Sequence, residues 1–187
     1  MKFALVIVGV LVLVGLLFAG QLISTRNSLV TEQQAIDGQW SQVDVALQRR
    51  ADLIPNLVET VKGFAKQEQA VIKLVTDARA ALIGARNPQE KIAANGQLDS
   101  ALSRLLVITE NYPQLKSNEN FLRLQDELAG TENRIAIERR KYNEVVQRYN
   151  TDIALFPKNI AAGMFGFSAK EYFKAEAGAK TVPNVKF

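Results

Sequence analysis

The feature that most constrains this chain is an unbroken apolar run near its N-terminus. Residues 3–20 carry no charged or strongly polar side chain, and the apolar character extends to Ile23, before Arg26. As a helix, the 21 residues 3–23 would reach about 31 Å, which is enough to cross the hydrocarbon core of a bilayer. We therefore expect residues 1–25 to form a transmembrane anchor.

A cleaved signal peptide is the alternative interpretation of this run. Its apolar region would have only about 7–15 residues and would end at a site made of small residues. Here the run is longer, bulky Phe18 stands where a small residue is needed, and there is no cysteine for a lipoprotein anchor. An uncleaved, single-pass anchor is favoured. The charges leave its orientation open, because Lys2 on one side nearly balances Arg26 on the other.

After Arg26 the apolar residues recur at alternating spacings of four and three, which is typical of helices that bury one face. Pro55 interrupts the pattern, because proline lacks an amide proton and disfavours helical geometry in the residue before it. We therefore expect a turn at Pro55 between a first and a second helix. The predicted inward positions are Leu29, Gln33, Ile36, Trp40, Val43 and Leu47, then Leu57, Val61, Phe64, Glu68, Val71, Val75, Ala78 and Leu82.

Two more helices follow, one from about residue 89 to 112 and a longer one that Pro157 closes, with Asn118 as a plausible cap. Four amphipathic helices with short loops bury their stripes best as an antiparallel up-and-down bundle. The predicted fold is all-α, with an anchor, a four-helix bundle over residues 26–157 and a partly irregular tail over 158–187. If Pro55 only kinked the chain, the first two helices would form one rod that no other helix could cover.

The net charge of +4 lies outside the predicted bundle. Basic and acidic residues balance between residues 26 and 157, whereas the tail has five lysines and two glutamates. A nucleic-acid binder would need a basic face on the folded body, so we expect no nucleic-acid partner. The tail joins aromatic rings to lysines, which suits a membrane interface or a partner groove, although the rings would equally cover one end of the bundle. The candidate contact residues are Phe165, Phe167, Lys170, Tyr172, Phe173 and Lys174.

The chain has no histidine and no cysteine, which excludes imidazole bases, thiol nucleophiles and thiolate metal sites. Glu68 and Glu138 fall at inward positions, where two carboxylates would be able to share a metal or a proton. Such residues more often pair with an arginine or specify helix register. Arg49 and Arg50, near Pro55, would either pair at helix ends or form a polar recognition patch. We expect no catalytic residue, cofactor or metal ligand.

Several separated motifs carry a family resemblance: residues 39–45, 47–64, 102–106, 110–116, 130–135 and 165–167, together with Phe187. In these segments the chain resembles the LemA family, and the resemblance covers nearly the whole sequence. One departure is Gln67, near which many relatives have histidine. The resemblance implies a bacterial, single-pass membrane protein with a short outside N-terminus, a cytoplasmic helical bundle and no established catalytic residues. Some relatives are associated with membrane-organelle formation.

Three functions follow from these features. The leading one is a non-enzymatic, membrane-tethered scaffold or adaptor that contacts lipid through its anchor and an unknown protein through its bundle. The second is a membrane-surface or oligomer-forming remodelling protein. Gly15 and Ala19 form a small-xxx-small pair that would allow two anchors to approach closely, so a homo-oligomer is possible. The third, and least favoured, is a carboxylate-based metal site or enzyme around Glu68 and Glu138.

Overall fold

The computed structural model describes residues 2–173, and this part of the chain consists of six α-helices without a β-strand. The all-α prediction is therefore confirmed. Helix α1 contains an 18-residue window with a mean hydropathy of 2.7, none of which is buried, so it is long and apolar enough to cross a membrane. The helices are α1 (Lys2–Phe64), α2 (Gln69–Gly84), α3 (Pro88–Thr109), α4 (Pro113–Lys116), α5 (Glu119–Ala154) and α6 (Lys158–Phe165).

Pro55 lies inside α1, so the predicted turn at this residue is wrong. Proline has no N–H to donate to the carbonyl four residues earlier, which here belongs to Ala51. The structure supplies another donor, because Arg79 Nε of α2 donates to the Ala51 carbonyl oxygen at 2.8 Å. The carbonyl that Pro55 leaves without a helical partner is thus satisfied from a neighbouring helix, and α1 continues for nine residues beyond the proline.

The first break in the helical chain comes after Phe64, and it corrects the prediction for Glu68. This residue stands at the N-cap position of α2 and is half-buried, rather than facing the core from mid-helix. Its carboxylate accepts a hydrogen bond from the Tyr112 hydroxyl at 2.8 Å. That bond is the main cause of a raised pKa at Tyr112.

The described chain divides into two compact units. Unit one comprises residues 2–39 and 141–172, which are the first part of α1, the end of α5, α6 and the segment after it. Its buried side chains come from the apolar faces of α1 and α5, with small alanines added from α6. They include Leu29, Ile36, Tyr142, Val146, Tyr149, Ala161 and Ala162.

Unit two comprises residues 40–140 and Phe173, and it holds the second part of α1, all of α2, α3 and α4, and the first part of α5. Its core is again aliphatic, with one fully buried phenylalanine. Asn87 and Asn118 cap the starts of α3 and α5 by accepting from the amides of Glu90 and Phe121, as expected for Asn118. The largest fully buried side chains here are Phe121, Leu47, Ile54, Leu57, Leu98, Leu105, Leu115 and Ile135.

Candidate functional site

The most strongly connected polar group in unit two is centred on Arg50. Its side chain is 7% exposed, and its guanidinium contacts Asp99 at 2.5 Å and Glu132 at 2.7 Å. It also donates to the Asn95 amide oxygen at 3.1 Å. Arg50 therefore joins α1 to α3 and α5 as a buried structural cation, and the structure places it inside the unit rather than on a recognition patch.

A cleft of about 440 Å³ lies beside this cluster, between α1, α3 and α5. Five of its twelve lining residues are leucines, and Asp126 adds a third carboxylate to those of Asp99 and Glu132. The Nε atom of Arg50 is buried and has no hydrogen-bond partner. The apolar residues of the cleft are Leu57, Leu102, Leu105, Leu106, Leu128 and Ala129.

Arg49, by contrast, is exposed and lines a different groove of about 410 Å³ between α1 and α5. Arg134 and Glu127 also line that groove. Arg49 and Arg50 are adjacent in sequence, but successive helical residues point about 100° apart. Arg50 therefore lies within the core cluster, whereas Arg49 lies outside it. The structure therefore does not bring them together as one basic patch.

The segment that follows α6 lies along α5 in unit one, held by side chains of α5. Asn150 bonds the Lys170 backbone twice, accepting from its N–H at 2.8 Å and donating to its carbonyl at 2.9 Å. The Tyr149 hydroxyl donates to the Ser168 carbonyl at 3.1 Å, and the Tyr142 hydroxyl donates to the Glu171 carbonyl at 3.2 Å. Burial is the main cause of a raised pKa at both tyrosines. Backbone recognition by α5 thus orders residues 168–171.

The tail aromatics occupy different environments. Phe173 is 4% exposed and packs in unit two, with its ring centroid 6.4 Å from that of Trp40 and the Arg139 guanidinium 4.2 Å away. Phe167 is half-buried, whereas Phe165 and Tyr172 are exposed. Lys170 is half-buried beside Asn150. Phe173 therefore contributes to the core, and Lys174 lies outside the described residues.

A charge cluster in unit one joins α1 to the α5–α6 connection. Lys158 of α6 pairs with Asp152 of α5 and lies 3.5 Å from Glu32 Oε1 of α1. Burial, and then the nearby Asp152 carboxylate, raises the pKa of Glu32. The hydrogen bond from Lys158 lowers the pKa of Asp152, and the same bond raises the pKa of Lys158. Glu32 Oε2 is buried without a hydrogen-bond partner. The sequence reasoning missed this cluster.

The two predicted inward carboxylates have different settings. Glu138 is 6% exposed on α5, as predicted, whereas Glu68 is bonded to Tyr112 at the start of α2. Among residues 2–173 no group of three or more histidine, cysteine, aspartate or glutamate side chains is arranged to hold a metal ion. The contacts of Arg50, of Glu68 and of the cluster around Lys158 each join separate elements of the chain.

We expect Asn150→Ala to loosen the tail segment without unfolding the chain. The variant loses two hydrogen bonds to the Lys170 backbone, each worth about 0.5–1.5 kcal/mol. Trypsin should therefore cleave after Lys170 faster than in the parent protein, as timed by mass spectrometry of the full chain in detergent. Gln147→Ala, at an exposed position three residues earlier on α5, is the matched control. Equal cleavage rates at Lys170 in the parent and in Asn150→Ala would contradict the assigned role.

The raised pKa of Glu32 predicts a pH-dependent effect of Glu32→Gln. A carboxyl with a raised pKa binds its proton more tightly in the folded state, so it favours folding below its ordinary value of 4.5 and loses this contribution as pH rises. The glutamine variant should be more stable than the parent at pH 7, and the difference should narrow toward pH 4.5. Thermal unfolding followed by circular dichroism measures it.

Asp152→Asn provides the opposite control, because the pKa of Asp152 is lowered. Its stabilising contribution is present above the ordinary value of 3.8 and is lost as pH falls. The asparagine variant should therefore be less stable than the parent at pH 7 and should approach it at low pH. The same pH trend in both variants would contradict the assignment of these two shifts.

These features define a class: an all-α protein with an apolar first helix, in which buried ion pairs and backbone-binding side chains hold the helices. The sequence profile of the LemA family matches residues 39–187, and the chain belongs to this family.

The chain is also similar in sequence to several individual proteins. Magnetosome protein MamQ 2 of Paramagnetospirillum magneticum is 27% identical over 204 aligned residues, covering 95% of this chain and 74% of the relative. Magnetosome protein MamQ of Magnetospirillum gryphiswaldense is 26% identical, covering 88% and 70%. Protein LemA of Metamycoplasma hominis is 24% identical, covering 75% of this chain and 64% of that protein.

Proposed function

We propose that this LemA-family protein is a non-enzymatic, membrane-tethered scaffold or adaptor. The observation that carries the proposal is the continuity of α1, in which a single helix bears an exposed apolar segment and then the buried stripes of both units. A helix of this kind attaches a folded body directly to a bilayer without a flexible linker. The arrangement suits a protein that holds a binding surface close to a membrane.

The engagement of the polar residues supports a binding role rather than a catalytic one. An enzyme site usually gathers titratable groups in a cleft where they meet a substrate. Here the cation that lines the leucine cleft of unit two already contacts two carboxylates. Beside it, Leu106 and Val107 of α3 are 43% and 67% exposed. A protein partner is the occupant we propose for this face of unit two.

Crosslinking in membranes tests the scaffold proposal. A photo-crosslinking amino acid is placed at Val107 in the full chain, and captured peptides are identified by mass spectrometry. Lys73 on α2, whose side chain is 73% exposed, is the control position. We expect a reproducible protein partner captured at Val107 but not at Lys73. Indistinguishable sets of neighbours at both positions would contradict the proposal.

We further propose a single-pass topology with the helical units in the cytoplasm of a bacterial cell, following the family resemblance. The chain has no native cysteine, so one cysteine on each flank of the apolar segment reports its own side. Asn27→Cys should be protected from a membrane-impermeant maleimide in intact cells with a permeable outer envelope, whereas Lys2→Cys should react. Reaction at Asn27→Cys and protection at Lys2→Cys would place the helical units outside the cytoplasm. Reaction at both cysteines would rule out insertion of the apolar segment across the membrane.

A further inference from the structure

Exposed apolar side chains are concentrated at one corner of unit one. Beyond the apolar segment of α1, the large hydrophobic side chains exposed in this unit are five residues around the α5–α6 connection and Tyr172. We call the five the corner patch. It consists of Leu155 (57% exposed), Phe156 (79%), Ile160 (42%), Met164 (64%) and Phe165 (42%).

Helix α6 buries its small side chains and exposes its large ones. Ala161 and Ala162 are 1% and 3% exposed, while Ile160 and Met164, four residues apart on one face, point outward. A helix on the surface of a water-soluble protein normally shows the opposite arrangement, with its large apolar residues toward the core. The exposed face of α6 therefore has the composition of a surface that contacts another apolar surface or a lipid.

The corner patch lies next to the end of the apolar segment of α1. The Arg26 guanidinium carbon lies 5.8 Å from the centroid of the Phe165 ring. Arg26 comes three residues after Ile23, the last residue of the apolar run, which corresponds to a rise of about 4.5 Å along the helix. Six residues further along α1, Glu32 approaches Lys158 at the start of α6. These contacts bring α6 to the level where α1 leaves the apolar segment.

We infer that the corner patch inserts into the interfacial region of the lipid bilayer and forms a second membrane contact beside the anchor. The contact is continuous with the exposed apolar surface of residues 5–23, since Phe165 adjoins Arg26. This inference rests on the anchor of the proposed function. It adds a monotopic contact that fixes how unit one meets the membrane surface.

The charges near the patch indicate insertion driven by apolar surface rather than by anionic lipid. Two cations are placed beside the patch: Arg26 lies over the Phe165 ring, and Lys158, the lysine of α6, is engaged by Asp152 and Glu32. A cation neutralised in this way offers little attraction to an anionic headgroup. A zwitterionic bilayer is therefore sufficient as the occupant of this surface.

Depth-dependent fluorescence quenching of the full chain tests the inference. Met164→Cys in the cysteine-free parent is labelled with an environment-sensitive NBD probe and reconstituted into phosphatidylcholine vesicles. Separate vesicle preparations carry a nitroxide near the lipid headgroup or deep in the acyl chain. Leu11→Cys reports the anchor, and Val107→Cys, an exposed apolar position in unit two, is the matched control. Phe156→Cys provides a second label within the patch.

We expect several-fold stronger quenching at Met164 and Phe156 than at Val107, greatest with the headgroup nitroxide. Leu11 should be quenched most by the deep nitroxide. Quenching at Leu11 without quenching at Met164 and Phe156 would overturn the inference and leave the anchor intact, whereas the absence of quenching at all positions would overturn both. Two further results would also overturn it. A blue shift of the NBD emission at position 164 that increases with protein density, without quenching by lipid nitroxides, would indicate contact with a second copy. Quenching that occurs only in vesicles containing anionic phosphatidylglycerol would show that anionic lipid is required.

Discussion

Replacing Arg50 with methionine is expected to lower the free energy of unfolding by about 2–3 kcal/mol, somewhat less than for a completely buried pair. Methionine fills a similar volume but leaves the Asp99 and Glu132 carboxylates close together without their cation. It also removes the hydrogen bond that Arg50 donates to the amide oxygen of Asn95, a residue that is 4% exposed. Because these carboxylates are 33% and 44% exposed, water compensates part of the loss. Three helices of unit two lose their common polar contact.

Chemical denaturation of the full chain in detergent measures this loss, with the single tryptophan, Trp40, as the fluorescent reporter. Arg49→Met is the matched control, since its exposed side chain should change stability by no more than about 0.5 kcal/mol. Arg50→Lys should recover only part of the loss, because an ammonium cannot reproduce the guanidinium fork. Equal stability of Arg49→Met and Arg50→Met would contradict the central role of the buried cation.

Arg79→Ala is expected to destabilise the protein by about 2 kcal/mol, because it leaves a carbonyl of α1 without a donor. The Ala51 oxygen receives its bond from Arg79 Nε at 2.8 Å, and Pro55 supplies none. Ala51 is fully buried, so water is a poor substitute for that donor. The effect should therefore depend on the proline.

A double-mutant cycle with Pro55→Ala isolates this dependence. Alanine at position 55 restores an N–H that can bond the Ala51 carbonyl in the ordinary helical pattern. In that background Arg79→Ala should cost at least 1 kcal/mol less than in the parent, a coupling of the size seen between residues in one hydrogen-bond network. Thr31→Ala, 24 residues before Pro55 on α1, removes a hydroxyl bonded to the Asn27 carbonyl and serves as a distant control in the same cycle. Simple additivity of Arg79→Ala and Pro55→Ala would contradict the assigned exchange of donors.

Helical periodicity predicted most of the core positions of α1, but it was wrong for Phe64, which is 42% exposed at the end of that helix. Leu29, Ile36, Val43 and Leu47 are all buried, because a repeat of four and three positions keeps one face inward regardless of the partner helix. The same spacing continues from Leu47 through Arg50, Ile54, Leu57 and Val61, all of them buried. This continuity through Pro55 was the available signal for an unbroken helix, and the general preference of proline for helix starts obscured it.

Interactions between distant parts of the chain could not be predicted from periodicity. The partners of Arg50 lie 45 to 82 residues away, and the donor for Ala51 lies 28 residues away. Periodicity also placed Phe156 with the buried stripe of the last helix, whereas it is 79% exposed after α5 has ended at Ala154. The inward face of a helix follows from the local sequence. An ion pair or a helix end depends in addition on the side chains of the neighbouring helices.

The continuity of α1 fixes the rotational phase between the apolar segment and the buried face of unit one. One residue inserted between Ile23 and Leu29 would rotate the apolar segment by about 100° relative to Leu29 and Ile36. Arg26 would then turn away from Phe165, or the apolar segment would turn within the bilayer. Four inserted residues would leave a mismatch of only about 40°. In this protein the length of one short helical stretch therefore sets which side of the apolar segment faces the α5–α6 corner.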